Sequence, residues 1–234
     1  VHRLSARAGR PWVAVNCGAM PTELVESELF GHAKGAFTTA LCSRAGLVSE
    51  AEGGSLFLDD VDCLPPQAQV KLLRFLQERE YRPVGSGQVR RADVRVIAAG
   101  NLRLPQMVAR GEFRADLFFR LNVLLLQLPA LRERREDIAP LAAHFLAGFA
   151  ARHGRGVRAL SACALERLFL HDWPGNVREL QHVIERAVLL AAGERLEASD
   201  LELGGAGVPA PIETVESFRA AKGRVVRQFE RSYL

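Results

Sequence analysis

Two adjacent carboxylates, Asp59 and Asp60, have the residue types and the position to do chemistry. They follow Leu56-Phe57-Leu58, a short apolar run that predicts a buried strand of a parallel sheet. Ligands of open α/β sheets bind beyond the carboxyl ends of the strands. One carboxylate there can hold a magnesium ion while the other positions or polarises an attacking water. An acidic turn after a purely structural strand is the alternative.

Phe37 is a second candidate, because it lies between small and polar residues in the run 35–40 and has few bulky neighbours. On a loop tip its ring would be presented to something outside the domain. Folding back onto its own domain is the alternative that composition leaves equally open, since single exposed apolar residues are common.

The elements that must position these residues alternate along the first part of the chain. Apolar runs predict strands at Trp12–Asn16, 56–58, 94–99 and 123–128. Helical patterns occupy 1–8, 24–30 and 65–78, and a turn-rich stretch at 81–87 predicts a hairpin. Thr22 is the expected cap of the second helix. This order predicts an α/β fold with a parallel sheet flanked by helices.

From Glu136 onwards the pattern is helical only, which predicts a small all-helical second domain. Ser161 is the expected cap of one helix, and Asn176 with Glu179 resembles a capping box at the start of another. Glycines and prolines then predict a flexible linker. The expected domains are 1–134 (α/β), 135–203 (helical lid), 204–212 (linker) and 213–234 (start of a C-terminal helical region).

Composition narrows the class of protein. The 234 residues are 48% hydrophobic and 25% charged, which is typical of a globular chain with a real core, and no apolar run approaches the length of a membrane span. The four cysteines are far apart and the histidines lack metal-ligand spacing, so we expect reduced cytoplasmic thiols and no zinc site. The net charge of +4 is interleaved along the chain and identifies no particular partner.

Several ordered motifs resemble one family, the AAA+ activators of sigma-54 RNA polymerase, also called bacterial enhancer-binding proteins. The run Gly35-Ala-Phe-Thr-Thr-Ala40, preceded by Glu28-Leu-Phe-Gly-His, resembles the family's GAFTGA loop. Asp59-Asp60 resembles a Walker B motif, the run 113–122 an arginine-finger segment, and the run 173–180 the sensor II stretch. The resemblance covers about residues 1–203 and implies an AAA+ sheet with a helical lid.

The resemblance also implies roles for individual residues. Asp59 would hold Mg²⁺ and Asp60 would position the water, with Asn101 as the sensor I residue. Planar guanidinium groups suit the transition state of phosphoryl transfer, and the resemblance implies that two of them act across a subunit interface. The remaining implied site residues are Arg114 and Arg120 as those fingers, Arg178 as the sensor II contact, and Phe37 and Thr38 as the sigma-54 contact.

For a complete protein the resemblance implies ATP and Mg²⁺ as cofactors, a hexameric ring, sigma-54 RNA polymerase as partner, and DNA binding through a C-terminal helix-turn-helix that this chain does not contain. ATP hydrolysis in the ring would move the Phe37 loop against sigma-54 and remodel the closed promoter complex. Such a protein acts in the cytoplasm.

Three features depart from the family pattern. Thr39 replaces the usual Gly, Asp60 replaces the usual Glu, and the phosphate-binding pattern G-x-x-x-x-G-K-[ST] occurs nowhere in the 234 residues. We therefore expect the chain to be part of a longer protein, and this polypeptide to bind ATP poorly and hydrolyse it negligibly. A non-catalytic regulator that binds partners or DNA is the alternative.

Overall fold

The computed structural model describes residues 1–38, 40–100, 104–191 and 193–203. Within it the chain divides into two compact units, with the division between Leu126 and Gln127. The sequence pattern places the corresponding boundary at 134. The expected linker at 204–212 and the helical region at 213–234 lie outside the described residues, as do Thr39 and Asn101.

The first unit contains a parallel sheet built from the predicted apolar runs. In chain order, the strands of this unit are β1 (Trp12–Asn16), β2 (Ser55–Asp59), β3 (Glu80–Tyr81), β4 (Arg90–Arg91) and β5 (Arg95–Ala98). The parallel sheet has the order β1-β2-β5, and β3 pairs antiparallel with β4. The register places Asn16 opposite Asp59. The strands predicted at 12–16, 56–58 and 94–99 are confirmed, and so is the hairpin.

Helices flank this sheet and pack apolar side chains into the core that they share with its strands. They are α1 (Val25–Phe30), α2 (Leu47–Glu50), α3 (Pro66–Glu78), α4 (Leu104–Ala109) and α5 (Ala115–Leu121). Proline at the start of α3 costs no hydrogen bond, since the first N–H groups of a helix have no partner within it. Leu72 and Phe75 of α3 are buried in one core with Leu56 and Leu58 of β2.

The helix predicted at 1–8 is wrong: the segment forms one 3-10 turn, His2–Leu4, followed by further turns. The Ser5 hydroxyl donates to the first carbonyl of that turn at 2.7 Å and accepts the N–H of Arg7 at 3.2 Å. These local bonds compete with helical backbone bonds. Arg7 then holds the segment in place through a two-pronged ion pair with Asp93, at 2.8 Å.

The predicted Thr22 cap is also wrong. Helix α1 begins at Val25 after Leu24, and no side chain caps it. The N–H of Leu24 donates to the Pro21 carbonyl at 2.9 Å, so a proline-led turn occupies the positions where a cap would lie.

The strand predicted at 123–128 does not form. Val123, Leu124 and Leu128 are 81%, 78% and 88% exposed, and no strand in the described residues pairs with this run. An extended segment becomes a strand only when its backbone groups find a partner, and the apolar sequence pattern alone cannot supply one.

The second unit is mainly helical, as predicted. Its elements are α6 (Ile138–His153), β6 (Ala159–Leu160), α7 (Ala162–Leu170), α8 (Asn176–Leu190) and β7 (Arg195–Leu196), with 3-10 turns at Leu131–Glu133, Arg135–Asp137 and Ala198–Asp200. The prediction of helix alone missed the parallel pair β6–β7, whose strands of two residues are too short to give an alternating pattern.

Two helix starts in this unit test the predicted caps. Ser161 caps α7 by accepting the N–H of Ala164 at 3.2 Å, as predicted. The capping box at Asn176 is half wrong, because Gly175 is the N-cap of α8 and Asn176 is the first helical residue. Glu179 does reach back as expected and accepts the Gly175 N–H at 2.8 Å.

Candidate functional site

The carboxyl edge of the parallel sheet brings together Asn16, Asp59 and Asp60. Asn16 ends β1, Asp59 ends β2 beside it, and Asp60 begins the 3-10 turn Val61–Cys63. The side-chain amide of Asn16 donates to Oδ2 of Asp60 at 2.8 Å. The predicted pair of carboxylates therefore lies at the strand edge where ligands bind in such sheets, and one of the two is held by a neighbouring strand.

Asn16 is a site residue that the sequence patterns did not single out. Its Oδ1 accepts the N–H of Ala19 at 2.9 Å, which caps the 3-10 turn Cys17–Ala19 and orients the amide so that its NH₂ group points at Asp60. The available signal was its position as the polar residue that ends the apolar run 12–16.

Asp60 adopts a left-handed backbone conformation, with φ = 51°. Non-glycine residues rarely adopt this conformation, so the surrounding bonds must hold it. The Asp60 N–H donates to Oδ1 of Asp59 at 3.2 Å, and the next N–H, that of Val61, donates to the Ala99 carbonyl at 3.0 Å. Asp60 is thus fixed from the ends of β1, β2 and β5.

Two thiols lie close to this carboxylate edge, that of Cys17 buried and that of Cys63 exposed. Cys17 is 1% exposed, and its burial, together with Cys63 and the aspartates at 59, 60 and 62, raises its pKa to about 12. Desolvation, Asp62 and Asp60 raise the pKa of Cys63 as well. Burial is the largest cause of both shifts, and the aspartates raise both pKa values further. The edge therefore carries negative charge of the kind that attracts a cation.

The donor set fits a magnesium ion that is shared with a phosphate ligand. In the described residues no group of three or more His, Cys, Asp or Glu side chains could enclose a metal by itself. Mg²⁺ is commonly held by one or two carboxylates together with water and substrate phosphates, so Asp59 and Asp60 suit it without further protein ligands.

Arg114 and Arg120 lie at the two ends of α5. Arg114 forms a two-pronged pair with Asp116, with Nε to Oδ1 at 3.0 Å and Nη2 to Oδ2 at 2.7 Å. This hydrogen-bonded pair raises the pKa of Arg114 and lowers that of Asp116. Arg120 donates from Nη2 to the Leu76 carbonyl at 3.1 Å. Both guanidinium groups remain largely exposed.

Phe37 folds back onto its own unit. Its ring is partly buried and its centroid lies 5.0 Å from that of His32, whose Nδ1 is hydrogen-bonded to the Ser27 hydroxyl at 2.8 Å. The ring also lines a cavity of about 600 Å³ together with Pro65 and Pro66. Of the two possibilities that composition left open, the structure shows the folded-back ring, while Thr38 beside it is exposed.

Arg178 belongs to the second unit, where it is exposed in the first turn of α8. The turn before it is tight, because Trp173 and Asn176 both have left-handed backbones, with φ of 51° and 53°. Trp173 is fully buried and its indole N–H donates to the Leu168 carbonyl at 2.9 Å. The position of Arg178 therefore depends on a strained turn anchored in the core.

Side-chain bonds hold this turn from both sides. Oδ1 of Asn176 accepts the N–H of Leu131 at 2.8 Å, which ties α8 to the start of the unit. His171 Nε2 is 2.8 Å from Oε1 of Glu179, the carboxylate that accepts the Gly175 N–H. Neither Asn176 nor His171 was assigned this bridging role from the sequence.

Comparison with known families follows the same division into two units. A family model described as the sigma-54 interaction domain matches residues 1–127, and one described as the AAA+ ATPase lid domain matches 132–205. The chain belongs to the sigma-54 interaction domain family. Membership confirms the resemblance drawn from the GAFTGA-like loop and the ordered motifs around it.

Curated relatives of this sigma-54 interaction domain are transcriptional regulatory proteins. The chain is 48% identical over 234 residues to GlrR of Escherichia coli (strain K12); the alignment covers 100% of this chain and 51% of GlrR. It is 51% identical over 206 residues to the alginate biosynthesis regulator AlgB of Pseudomonas aeruginosa, covering 88% of this chain and 46% of the relative. The chain thus spans about half the length of these relatives.

Solved structures confirm the fold class. NtrX from Brucella abortus aligns with a TM-score of 0.82 at 35% identity, covering 97% of this chain and 52% of NtrX. NtrX in complex with ATP aligns with a TM-score of 0.78 at 37% identity, covering 98% of this chain and 52% of NtrX. The chain is therefore an α/β sigma-54 interaction domain followed by a helical lid. Among its described helices, none has the length and hydropathy to span a lipid bilayer.

Proposed function

We propose that this chain is the central part of an ATP-dependent activator that remodels the closed complex of sigma-54 RNA polymerase. The observation that carries the proposal is the pair Asp59–Asp60 at the carboxyl edge of a parallel sheet, in a chain that matches the sigma-54 interaction domain. NtrX from Brucella abortus has been solved in complex with ATP and with ADP, which supports a nucleotide for this relative.

At this edge, Asp59 would hold Mg²⁺, and the ion would supply neutralisation of phosphate charge when nucleotide is bound. Asp60 orients the attacking water and accepts its proton through Oδ1 or Oδ2. Asn16 holds Oδ2 of Asp60 by a 2.8 Å hydrogen bond, so the orientation of the base is set before substrate arrives. Asn101, just beyond β5, assists as a polar sensor.

Three arginines complete the proposed site. Arg114 and Arg120 reach the nucleotide of the neighbouring subunit in a ring, and Arg178 contacts nucleotide from the lid. A guanidinium donated across an interface can be worth about 1000-fold or more in rate. Arg114 is occupied by Asp116 in the isolated subunit, so it must exchange this carboxylate for phosphate when it acts.

The loop that carries Phe37 and Thr38 delivers the work to sigma-54. The Phe37 ring rests against His32, and such a contact between two rings is weak enough to be exchanged for a partner. In the complete protein, ATP hydrolysis would release the ring towards sigma-54. DNA binding through a C-terminal helix-turn-helix and action in the cytoplasm belong to the same proposal.

A non-catalytic regulator is the second candidate, and Asp60 is the observation that favours it. Its carboxylate is one methylene shorter than the Glu usual in the family, and misplacement of a catalytic group by about 1 Å can cost ~100-fold in rate. The two candidates differ in whether the complete protein hydrolyses ATP.

The test compares Asp59→Ala with Phe37→Ala in the complete gene product. We expect Asp59→Ala to reduce ATP hydrolysis by at least ~100-fold, because it removes the metal ligand. Phe37→Ala should leave hydrolysis within about twofold of wild type and abolish binding to purified sigma-54.

Leu4→Ala is the matched control, since Leu4 is an apolar side chain that is 94% exposed. This variant should retain both activities. A wild-type protein that binds sigma-54 without hydrolysing ATP would contradict the first candidate and support the second. Retention of sigma-54 binding by Phe37→Ala would contradict the role of the loop.

A further inference from the structure

Gln69 is a polar side chain that is buried in the core of the first unit. It lies in the first turns of α3 and is 1% exposed. A buried amide must be hydrogen-bonded, because leaving its polar groups without partners in a dry interior is costly. Its partners therefore indicate which parts of the unit it holds together.

The Gln69 amide makes three hydrogen bonds, all to backbone groups. Nε2 donates to the Leu64 carbonyl at 2.9 Å and to the Glu112 carbonyl at 3.2 Å, and Oε1 accepts the N–H of Arg114 at 2.9 Å. Two carbonyls need donors and one N–H needs an acceptor, so only this orientation of the amide satisfies all three.

These partners belong to two separate segments that the proposed function uses together. Leu64 closes the 3-10 turn Val61–Cys63, which begins at Asp60. Glu112 and Arg114 lie between α4 and α5, in a stretch outside regular secondary structure. Gln69 is thus one side chain that binds both the segment after the carboxylates and the segment that presents the finger arginine.

We propose that Gln69 is a positioning residue for Arg114: it holds the backbone at the start of α5 in fixed relation to the Asp59–Asp60 edge. The inference rests on the proposed ATPase function. Gln69 acts through the Arg114 N–H, while Asp116 holds the guanidinium of the same residue. Loss of the amide would leave Arg114 on a segment without its central anchor.

The neighbouring contacts explain why no other group replaces Gln69. Phe113 and Leu117 are 2% and 0% exposed and fix the apolar side of the segment, but apolar packing is non-directional and sets position less sharply than hydrogen bonds. Water has little access to a side chain that is 1% exposed. The three backbone groups would therefore remain unpaired or move apart.

The experiment uses Gln69→Met in the complete gene product, since methionine has similar length and suits a helix. We expect kcat for ATP hydrolysis to fall about 10-fold or more, with KM for ATP within about twofold of wild type. Gln77→Met is the matched control, because Gln77 lies exposed on the same helix; it should behave as wild type.

Mixed oligomers separate positioning of Arg114 from damage elsewhere. Asp59→Ala subunits lack their own site but carry an intact Arg114. Mixed with Gln69→Met subunits, they should restore hydrolysis at the Gln69→Met sites, as they should for Arg114→Ala subunits. A merely structural defect in Gln69→Met would not be repaired by a neighbour's arginine.

The outcomes are distinct. A folded Gln69→Met protein with wild-type kcat, or one that Asp59→Ala subunits fail to rescue when they do rescue Arg114→Ala, contradicts this inference alone. A wild-type protein without ATPase activity, or failure of the Arg114→Ala mixture itself, contradicts the proposed function. If Gln69→Met does not fold, Gln69→Asn keeps the amide but shortens its reach, and the same rescue is expected of it.

Discussion

At the scale of single residues, the candidate site depends on a few polar contacts with little redundancy. Asp60 is held in a left-handed conformation, and its carboxylate is oriented by one amide, that of Asn16. The thiol of Cys17, buried beneath the same edge, experiences the combined field of the aspartates there. Its raised pKa reflects burial first and the negative charge of the edge second.

The buried thiol of Cys17 leads to a prediction about how the free energy of unfolding depends on pH. Its pKa is raised from 9.0 to about 12 in the folded chain, so the unfolded chain loses this proton first as pH rises. The free energy of unfolding should therefore fall between about pH 9 and pH 12, by at most ~1.4 kcal/mol per pH unit from this group. Below about pH 9 the thiol is protonated in both the folded and the unfolded chain, so its stabilising contribution is fully present there. Urea unfolding at pH 8 and at pH 10.5 measures it.

Two variants identify the thiol as the cause. Cys17→Ala should be less stable at pH 8 but should show a flatter decline towards pH 10.5 than wild type. Cys42→Ala, which removes an exposed thiol, should keep the wild-type decline. Parallel profiles for Cys17→Ala and wild type would contradict the assignment.

At the scale of elements, the positions of functional side chains are set where helices and strands begin and end. The start of α8 illustrates this: two left-handed residues, Trp173 and Asn176, precede or begin the helix that carries Arg178. Asn tolerates this conformation better than most residues, and its Oδ1 also accepts the Leu131 N–H. One side chain thus serves both the backbone conformation and the tie to Leu131.

Asn176 makes a prediction that separates these two contributions. Both variants lose the hydrogen bond, but Asn176→Ala keeps a Cβ in the left-handed conformation without the asparagine side chain that favours it, whereas Asn176→Gly removes the Cβ. We expect Asn176→Gly to lower the free energy of unfolding by ~1 kcal/mol or more. Asn176→Ala should lower it by about 1 kcal/mol beyond that.

The measurement can report on the second unit specifically. The chain contains only Trp12 and Trp173, so a Trp12→Phe background leaves Trp173 as the single fluorescent reporter. Urea unfolding of both variants in this background gives the two free energies. Equal values for Ala and Gly would show that the left-handed conformation carries no cost at this position.

At the scale of the whole molecule, the proposed nucleotide site has carboxylates and arginines, but the 234 residues contain no phosphate-binding loop sequence. Such a loop supplies backbone N–H groups and a lysine around the phosphates, which form the largest set of contacts to a nucleotide's charge. Carboxylates and arginines on the two units cannot replace that set of donors, because none of them surrounds a phosphate with backbone N–H groups.

We therefore predict that the 234-residue polypeptide binds ATP too weakly to saturate at about 1 mM. Isothermal titration with ATP and Mg²⁺ measures this directly. Asp59→Ala is the matched control and should give the same weak signal. Asp59 contributes to affinity only through Mg²⁺ bound to the nucleotide's phosphates, and this polypeptide holds those phosphates too weakly. Micromolar affinity of the wild-type polypeptide, lost in Asp59→Ala, would contradict the prediction.

Elements with strong local patterns were predictable from the sequence. β1, β2, β5 and α3 follow from apolar runs and periodicity, and Asp59–Asp60 follows from its place after a buried strand. The family motifs added the loop around Phe37. These features depend on neighbours in sequence, or on motifs whose residue types and spacing are themselves the signal, so no tertiary information was needed to find them.

Contacts between distant segments were decided only by the tertiary structure. The bond from Asn16 to Asp60 and the bonds from Gln69 to Glu112 and Arg114 join residues that are far apart in sequence, and no periodic pattern links them. The run 123–128 shows the converse: an apolar pattern remains unpaired when no strand in the described part of the chain lies beside it. Pairing and polar satisfaction are properties of the assembled fold, because each group's free energy depends on which partner the other segments bring within reach.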